Sequence, residues 1–128
     1  IKATLRGLKT KYPDNRLICV FQPHQRERLK KLFKEFVLAF NDADELILLP
    51  TYTVAGREEP KTSVNAGKLA RVIATRRVKE VPLPQNLKEL RSVLRDKIKR
   101  GDIIVMMGAG NINEWTDRLI NQNAKIKM

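Results

Sequence analysis

The only histidine of the chain, His24, stands in the stretch CVFQPHQRER, where an apolar run gives way to a charged one. His24, Gln25 and Arg28 together could bind an anion, because imidazole and amide groups donate hydrogen bonds and guanidinium pairs with a carboxylate at two points. If a helix starts near Gln25, Arg28 precedes Leu32 by four residues and adjoins Leu29, so it projects from the first turn on the inward side. Arg26 then lines up with Lys30 and Lys34 on the outer face, while Glu27 with Lys31 and Lys31 with Glu35 make surface pairs. An inward arginine at a helix start opposes the helix dipole. A bound carboxylate would resolve that conflict through charge-assisted hydrogen bonds of roughly 1.5–3 kcal/mol each. An ion pair with a nearby Glu or Asp would resolve it as well, and His24 could equally be a hydrogen-bonded turn residue.

Two other stretches invite the same question. In MMGAGNIN, Gly108, Gly110 and Asn111 sit between a strand-like run and a helix-like one, where free backbone amides could contact a phosphate. The G-x-G-x-x-G pattern breaks at Asn113, however, and the chain ends before an acidic residue could follow about 20 positions on. A tight turn that lets the helix pack closely is the simpler use. In YTVAGREEP, Tyr52, Arg57, Glu58 and Glu59 could do acid–base work or hold a metal, although sequence neighbours on a loop are usually solvated. There is no G-x-x-x-x-G-K-[ST] phosphate loop, no Ser/His/Asp set and no Cys/His metal spacing. The expectation is a chain with no catalytic residue and no metal site of its own.

These stretches need elements to position them. Residues 1–12 place Ile1, Leu5, Leu8 and Tyr12 at helical spacing, and Pro13, Asp14 and Asn15 end that helix. LICVF at 17–21 is a short continuous apolar run, as in a strand covered on both faces. From Glu27 to Phe40, Leu29, Leu32, Phe33, Phe36, Val37 and Phe40 form one helical face. ELILLP at 45–50 predicts a second strand, followed by a long polar loop. A helix over 66–77 and a weak strand EVPL at 80–83 come next. Asn86 with Glu89 opens a helix through Leu87, Leu90, Val93, Leu94 and Ile98, which closes on Lys97, Lys99, Arg100 and Gly101. DIIVMM at 102–107 predicts a fourth strand, and Asn111 with Glu114 opens a last helix carrying Ile112, Trp115, Leu119 and Ile120. Strands alternating with helices predict an α/β fold, a Rossmann-like three-layer sandwich with a mostly parallel sheet and helices on both faces. In such a sheet ligands gather outside the carboxyl ends of the strands, where all three stretches fall.

At 128 residues the chain is long enough for one compact domain with a real core. It begins without methionine and in helical register, so a piece of a longer chain is expected, with one domain over 1–122 and a frayed tail over 123–128. No apolar run approaches the ~18 residues of a membrane span and no signal core opens the chain, which predicts a soluble cytoplasmic protein without membrane contact. The one cysteine, Cys19, lies inside an apolar run and reads as core in a reducing compartment. The net charge of +12, from 26 basic and 14 acidic residues, raises nucleic acid as a partner. Against it, the basic residues are interleaved with Glu and Asp over nearly every helix, and aromatics form only 5% of the chain with no stacking array.

VFQPHQRERLKKLFKEF, ADELILLPTYTVAGREEP and GDIIVMMGAGNI, in this order and at these separations, resemble the C-terminal domain of the Mur ligases, most closely the alanine-adding branch of peptidoglycan synthesis. The resemblance covers about residues 1–122 and rests mainly on FQPHQ-x-x-R together with MGAGNI. It implies a Rossmann-like third domain that closes over a central ATP-binding domain and an N-terminal UDP-sugar domain, both absent from this chain. It also implies an intact ligase that uses ATP and magnesium to activate the carboxylate of UDP-N-acetylmuramate as an acyl phosphate, which the amino group of L-alanine attacks. By resemblance His24 and Arg28 line the amino-acid site, Arg28 as partner of the alanine carboxylate and Gln25 as a weaker contact. Many members carry an aromatic residue where Arg26 stands, and some a second arginine where Gln25 stands, so carboxylate binding here leans on Arg28. The D-x-x-H-x-P segment that would precede Ile1 is absent, and the isolated chain is expected to fold without turning over. The alternatives are a basic nucleic-acid-binding module and a Mur-type ligase with another amino-acid or peptide substrate.

Overall fold

The computed structural model of the chain describes residues 1–23, 30–51, 65–108 and 112–122. In chain order the elements are α1 (Lys2–Lys11), β1 (Leu17–Gln22), α2 (Phe33–Ala39), β2 (Glu45–Leu48), α3 (Ala66–Arg77), α4 (Leu87–Lys97), β3 (Ile103–Gly108) and α5 (Ile112–Gln122). Among the described residues the sheet has three strands, all parallel, in the order β2-β1-β3. Cys19 is in register with Leu46 on one side and Val105 on the other.

The central strand explains why LICVF lacks polar alternation. Every residue of β1 is buried, because successive side chains enter two different cores. Leu17, Cys19 and Phe21 pack in one cluster with Leu5 of α1, Leu69, Ala70 and Ile73 of α3, and the half-buried Phe33, Phe36 and Val37 of α2. Ile18 and Val20 face the other way, onto Leu90 and Leu94 of α4 and Ile112 and Leu119 of α5. Helices thus cover both faces, and the fold is the three-layer α/β sandwich expected. Each such aliphatic side chain contributes about 1.5–3 kcal/mol through its burial.

Helix ends follow local chemistry. Asn86 Oδ1 accepts from the Glu89 N–H at 2.8 Å, and Glu89 returns a carboxylate to the Gln85 N–H at 2.6 Å, one residue before a strict capping box. Asn65 Oδ1 caps α3 by accepting from the Lys68 N–H at 3.0 Å. At the far end of α3, Val78 adopts the left-handed conformation (φ 52°) that glycine usually supplies.

Some expectations need correction. EVPL at 80–83 is not a strand of the sheet. It touches β2 through one hydrogen bond, Leu48 N–H to Pro82 O at 3.0 Å, and Pro82 and Pro84 have no N–H with which to extend a ladder. Tyr12 is not part of the α1 core face. The helix ends at Lys11, and Tyr12 lies exposed with Lys11 Nζ 5.4 Å from its ring centre. Among the described residues no Lys31–Glu35 ion pair forms, and both side chains are exposed. The described part of the second helix is shorter than the span from Glu27 to Phe40. The first part of that span, like the tail at 123–128, lies outside the described residues.

The cleft at the carboxyl ends of the strands

The three strands end together. β1 finishes at Gln22, β3 at Gly108 directly beside it in register, and the chain leaves β2 through Leu49, Pro50 and Thr51. A cleft of about 540 Å³ opens there, walled by Phe21 and Gln22 of β1, Gly108 of β3, Glu35 and Phe36 of α2, and Lys2 of α1. Its wall mixes aromatic surface with a few polar groups, as small-molecule sites commonly do.

Gly108 is at this position for steric reasons. Its φ is +137°, and a Cβ would overlap the Gln22 carbonyl oxygen and stand 3.0 Å from the Gln22 nitrogen. The first glycine of GAG thus lets two strand ends meet. Gly110 and Asn111, the other two phosphate or closure candidates, lie outside the described residues.

Gln22, the first glutamine of FQPHQ-x-x-R, has no role in the sequence reading. Its side chain is 4% exposed, Nε2 reaches toward the Pro50 carbonyl at 3.5 Å, and Oε1 has no donor among the described residues. A signal for it existed in the sequence, namely a polar residue closing an apolar strand immediately before a proline.

His24, Gln25 and Arg28 lie outside the described residues, but the ends that hold them are defined: Pro23, directly after Gln22 of the cleft wall, and Lys30, leading into α2. Tyr52, Arg57 and Glu58 also lie outside. The ends of their loop are pinned together by Thr51 Oγ1, which accepts from the Ala66 N–H at 3.0 Å. Both loops therefore leave from the carboxyl edge of the sheet.

The opposite, amino edge carries ion pairs. Arg16 binds Asp102 at two points, Nη2 to Oδ2 at 2.8 Å and Nε to Oδ1 at 3.1 Å, and donates to the Lys97 carbonyl at 2.7 Å. The guanidinium hydrogen bond holds the Asp102 carboxyl below the usual carboxylate range, aided by the Lys99 N–H. Burial pushes the Asp44 carboxyl up, but hydrogen bonds from Lys9 and the Leu17 N–H outweigh it and hold the group low. Lys79 sits 2.9 Å from Glu45. This edge is structural, because its charges are spent on one another and on backbone groups.

Cys19 is buried as expected, its thiol pushed up to about 12 by desolvation, so it is no nucleophile near neutral pH. Among the described residues no group of His, Cys, Asp and Glu could hold a metal ion. None of the described helices is long and apolar enough to cross a membrane.

Comparison with known proteins places this arrangement. Residues 1–110 match the family model for the glutamate ligase domain of Mur ligases. The chain belongs to the Mur ligase family. A UDP-N-acetylmuramate–L-alanine ligase of Trichlorobacter lovleyi is 37% identical over 95% of the chain, which covers 26% of that protein. A protein of the same name from Geotalea daltonii is 40% identical over 95% of the chain and 26% of its own length. This Mur ligase chain thus spans about a quarter of the curated relatives it matches. Among solved structures, a domain assigned to a UDP-N-acetylmuramate:L-alanyl-gamma-D-glutamyl-meso-diaminopimelate ligase of Haemophilus ducreyi superposes with a TM-score of 0.62. It covers 94% of this chain and 79% of that one at 17% identity, a likeness of fold.

Proposed function

We propose that this Mur ligase domain binds the incoming amino acid in a cytoplasmic, ATP-dependent ligase that joins L-alanine to UDP-N-acetylmuramate in peptidoglycan synthesis. The observation that carries the reading is the 37–40% identity, across 95% of the chain, to relatives named for that reaction. The cleft at the strand ends supports it, since Gln22 of its wall immediately precedes the P-H-x-x-x-R stretch in the chain. His24 and Arg28 bind the amino acid, Arg28 through its carboxylate, with Gln25 as a lesser contact. Gly108, Gly110 and Asn111 contact phosphate or the closing domain, and Tyr52, Arg57 and Glu58 belong to the loop beside them.

Neither the sequence motifs nor the described residues of this chain supply a place for ATP or magnesium. The sequence has no G-x-x-x-x-G-K-[ST] loop, and no metal-holding acidic group exists among the described residues. ATP, magnesium and the UDP-sugar then fall to a central and an N-terminal domain outside the chain, and the isolated chain is inactive.

The test is kinetic and uses the intact ligase. Arg28→Ala should raise KM for L-alanine by roughly 10- to 100-fold, the loss of a charged hydrogen-bonded pair, with KM for ATP little changed. Unchanged alanine kinetics would remove the assignment. Magnesium-dependent ATP hydrolysis by the isolated chain would contradict its inactivity.

A further inference from the structure

We infer that the amino edge of the sheet, opposite the cleft, is a docking surface for an anionic lipid bilayer. The inference stands apart from the proposed reaction and concerns where the domain sits. Glu45 gathers this edge. It is 8% exposed, and Lys79 after α3, Arg16 after α1 and Lys97 at the end of α4 approach its carboxylate at 2.9, 3.8 and 3.8 Å. Asn15 Nδ2 donates to the Gly101 carbonyl at 2.7 Å and ties the first of these loops to the third. The carboxyl ends of three helices therefore meet on one surface. Helix carboxyl ends favour cations, and the last turns carry Lys9 and Lys11, Arg76 and Arg77, and Arg95 and Lys97.

The ion pairs of the edge do not use all of this charge. Lys11, Arg95, Lys99 and Arg100 are exposed, and none has an acidic partner among the described residues. With the exposed Arg76 they outnumber the exposed acids of the same edge, Asp14, Glu80 and Asp96. Two of the large exposed hydrophobic side chains, Tyr12 and Val78, stand here as well. Val78 is 91% exposed and held at φ 52°, where glycine would remove the strain, so the fold gains nothing from a valine. Arg77 and Lys79 flank it in the chain. A convex apolar tip between cations fits hydrocarbon beneath anionic headgroups, with the long basic side chains reaching back to the phosphates. Nucleic acid fits less well, because Lys11 Nζ lies over the Tyr12 ring, 5.4 Å from its centre, where a base would have to stack. This is attachment at a surface and not a span, and it departs from the expectation of no membrane contact. It leaves the cleft facing away from the bilayer. Each cation near such a surface strengthens binding about fivefold, so the attachment is reversible and weakens with salt.

Co-sedimentation of the intact protein with vesicles tests this, using phosphatidylcholine alone against equal parts of phosphatidylcholine and phosphatidylglycerol. Binding is expected only to the second. Lys99→Glu combined with Arg100→Glu should weaken it by at least about tenfold. Lys68→Glu combined with Lys88→Glu makes the same change of charge on exposed side chains at the starts of α3 and α4, away from this edge, and should weaken it by less than about threefold. Val78→Gly should weaken it by about threefold while the thermal midpoint rises. No binding to the anionic vesicles would overturn the inference, as would equal losses in the two double variants, which would leave only attraction by net charge. Tighter binding of a short DNA duplex than of the anionic vesicles, lost in the Lys99→Glu, Arg100→Glu variant, would make the partner a nucleic acid and overturn it too.

Discussion

Gly108 lies against the backbone of Gln22 so closely that no side chain fits between them. The contact joins the ends of β1 and β3 at the floor of the cleft, and it explains a glycine that phosphate binding is not required to explain. Gly108→Ala should destabilise the chain by about 2–4 kcal/mol, from a positive φ and an overlap with backbone that cannot give way. Gly7, with nothing within 4 Å of its missing Cβ and a place inside α1, is the control: Gly7→Ala should stabilise by about 0.5–1 kcal/mol. Urea unfolding of both variants measures the contrast, and equal stabilities would refute the packing argument.

Asp102 and Asp44 tie stability to pH. Their carboxyls are held below the ordinary value of about 4, so the stability they contribute is present above that value and is lost as pH falls through their lower folded values. Unfolding free energy should drop steeply below about pH 4. Asp102→Asn should cost about 2–3 kcal/mol at pH 7, because Arg16 loses a two-point partner that is 4% exposed, and should flatten the acid limb. Unfolding curves from pH 2 to 7 check both parts. An acid limb as steep in Asp102→Asn as in wild type would count against this account.

Val78 closes α3 in the left-handed region while 91% exposed, so its side chain adds strain and almost no packing. Val78→Gly should therefore stabilise the chain by about 1 kcal/mol, read as a rise in thermal midpoint. A fall would mean that the valine makes a contact worth more than its backbone cost.

Much of this architecture was legible in the residue pattern. Continuous apolar runs marked LICVF and ELIL, helical spacing marked Leu87 to Ile98, and Asn86 and Glu89 announced a helix start that the hydrogen bonds bear out. These are local properties, decided by which side chains must leave water and which caps lie within four residues. EVPL misled because its apolar content resembles a strand while its prolines withhold the donors a ladder needs. Cys19 was assigned to the core correctly for the same local reason, its apolar neighbours.

The site divides along the same line. From the sequence alone came the expectation that PHQRER, the GAG turn and the loop after β2 follow strands of a parallel sheet, because alternating strands and helices favour parallel pairing, and the three strands do run parallel. Only the tertiary structure decided that Gln22 is buried with an oxygen that finds no donor among the described residues, that Gly108 is a contact with Gln22, and that Arg16 is paired with Asp102, 86 positions away. Each depends on distances between strands far apart in the chain, and no local pattern of residues encodes such a distance.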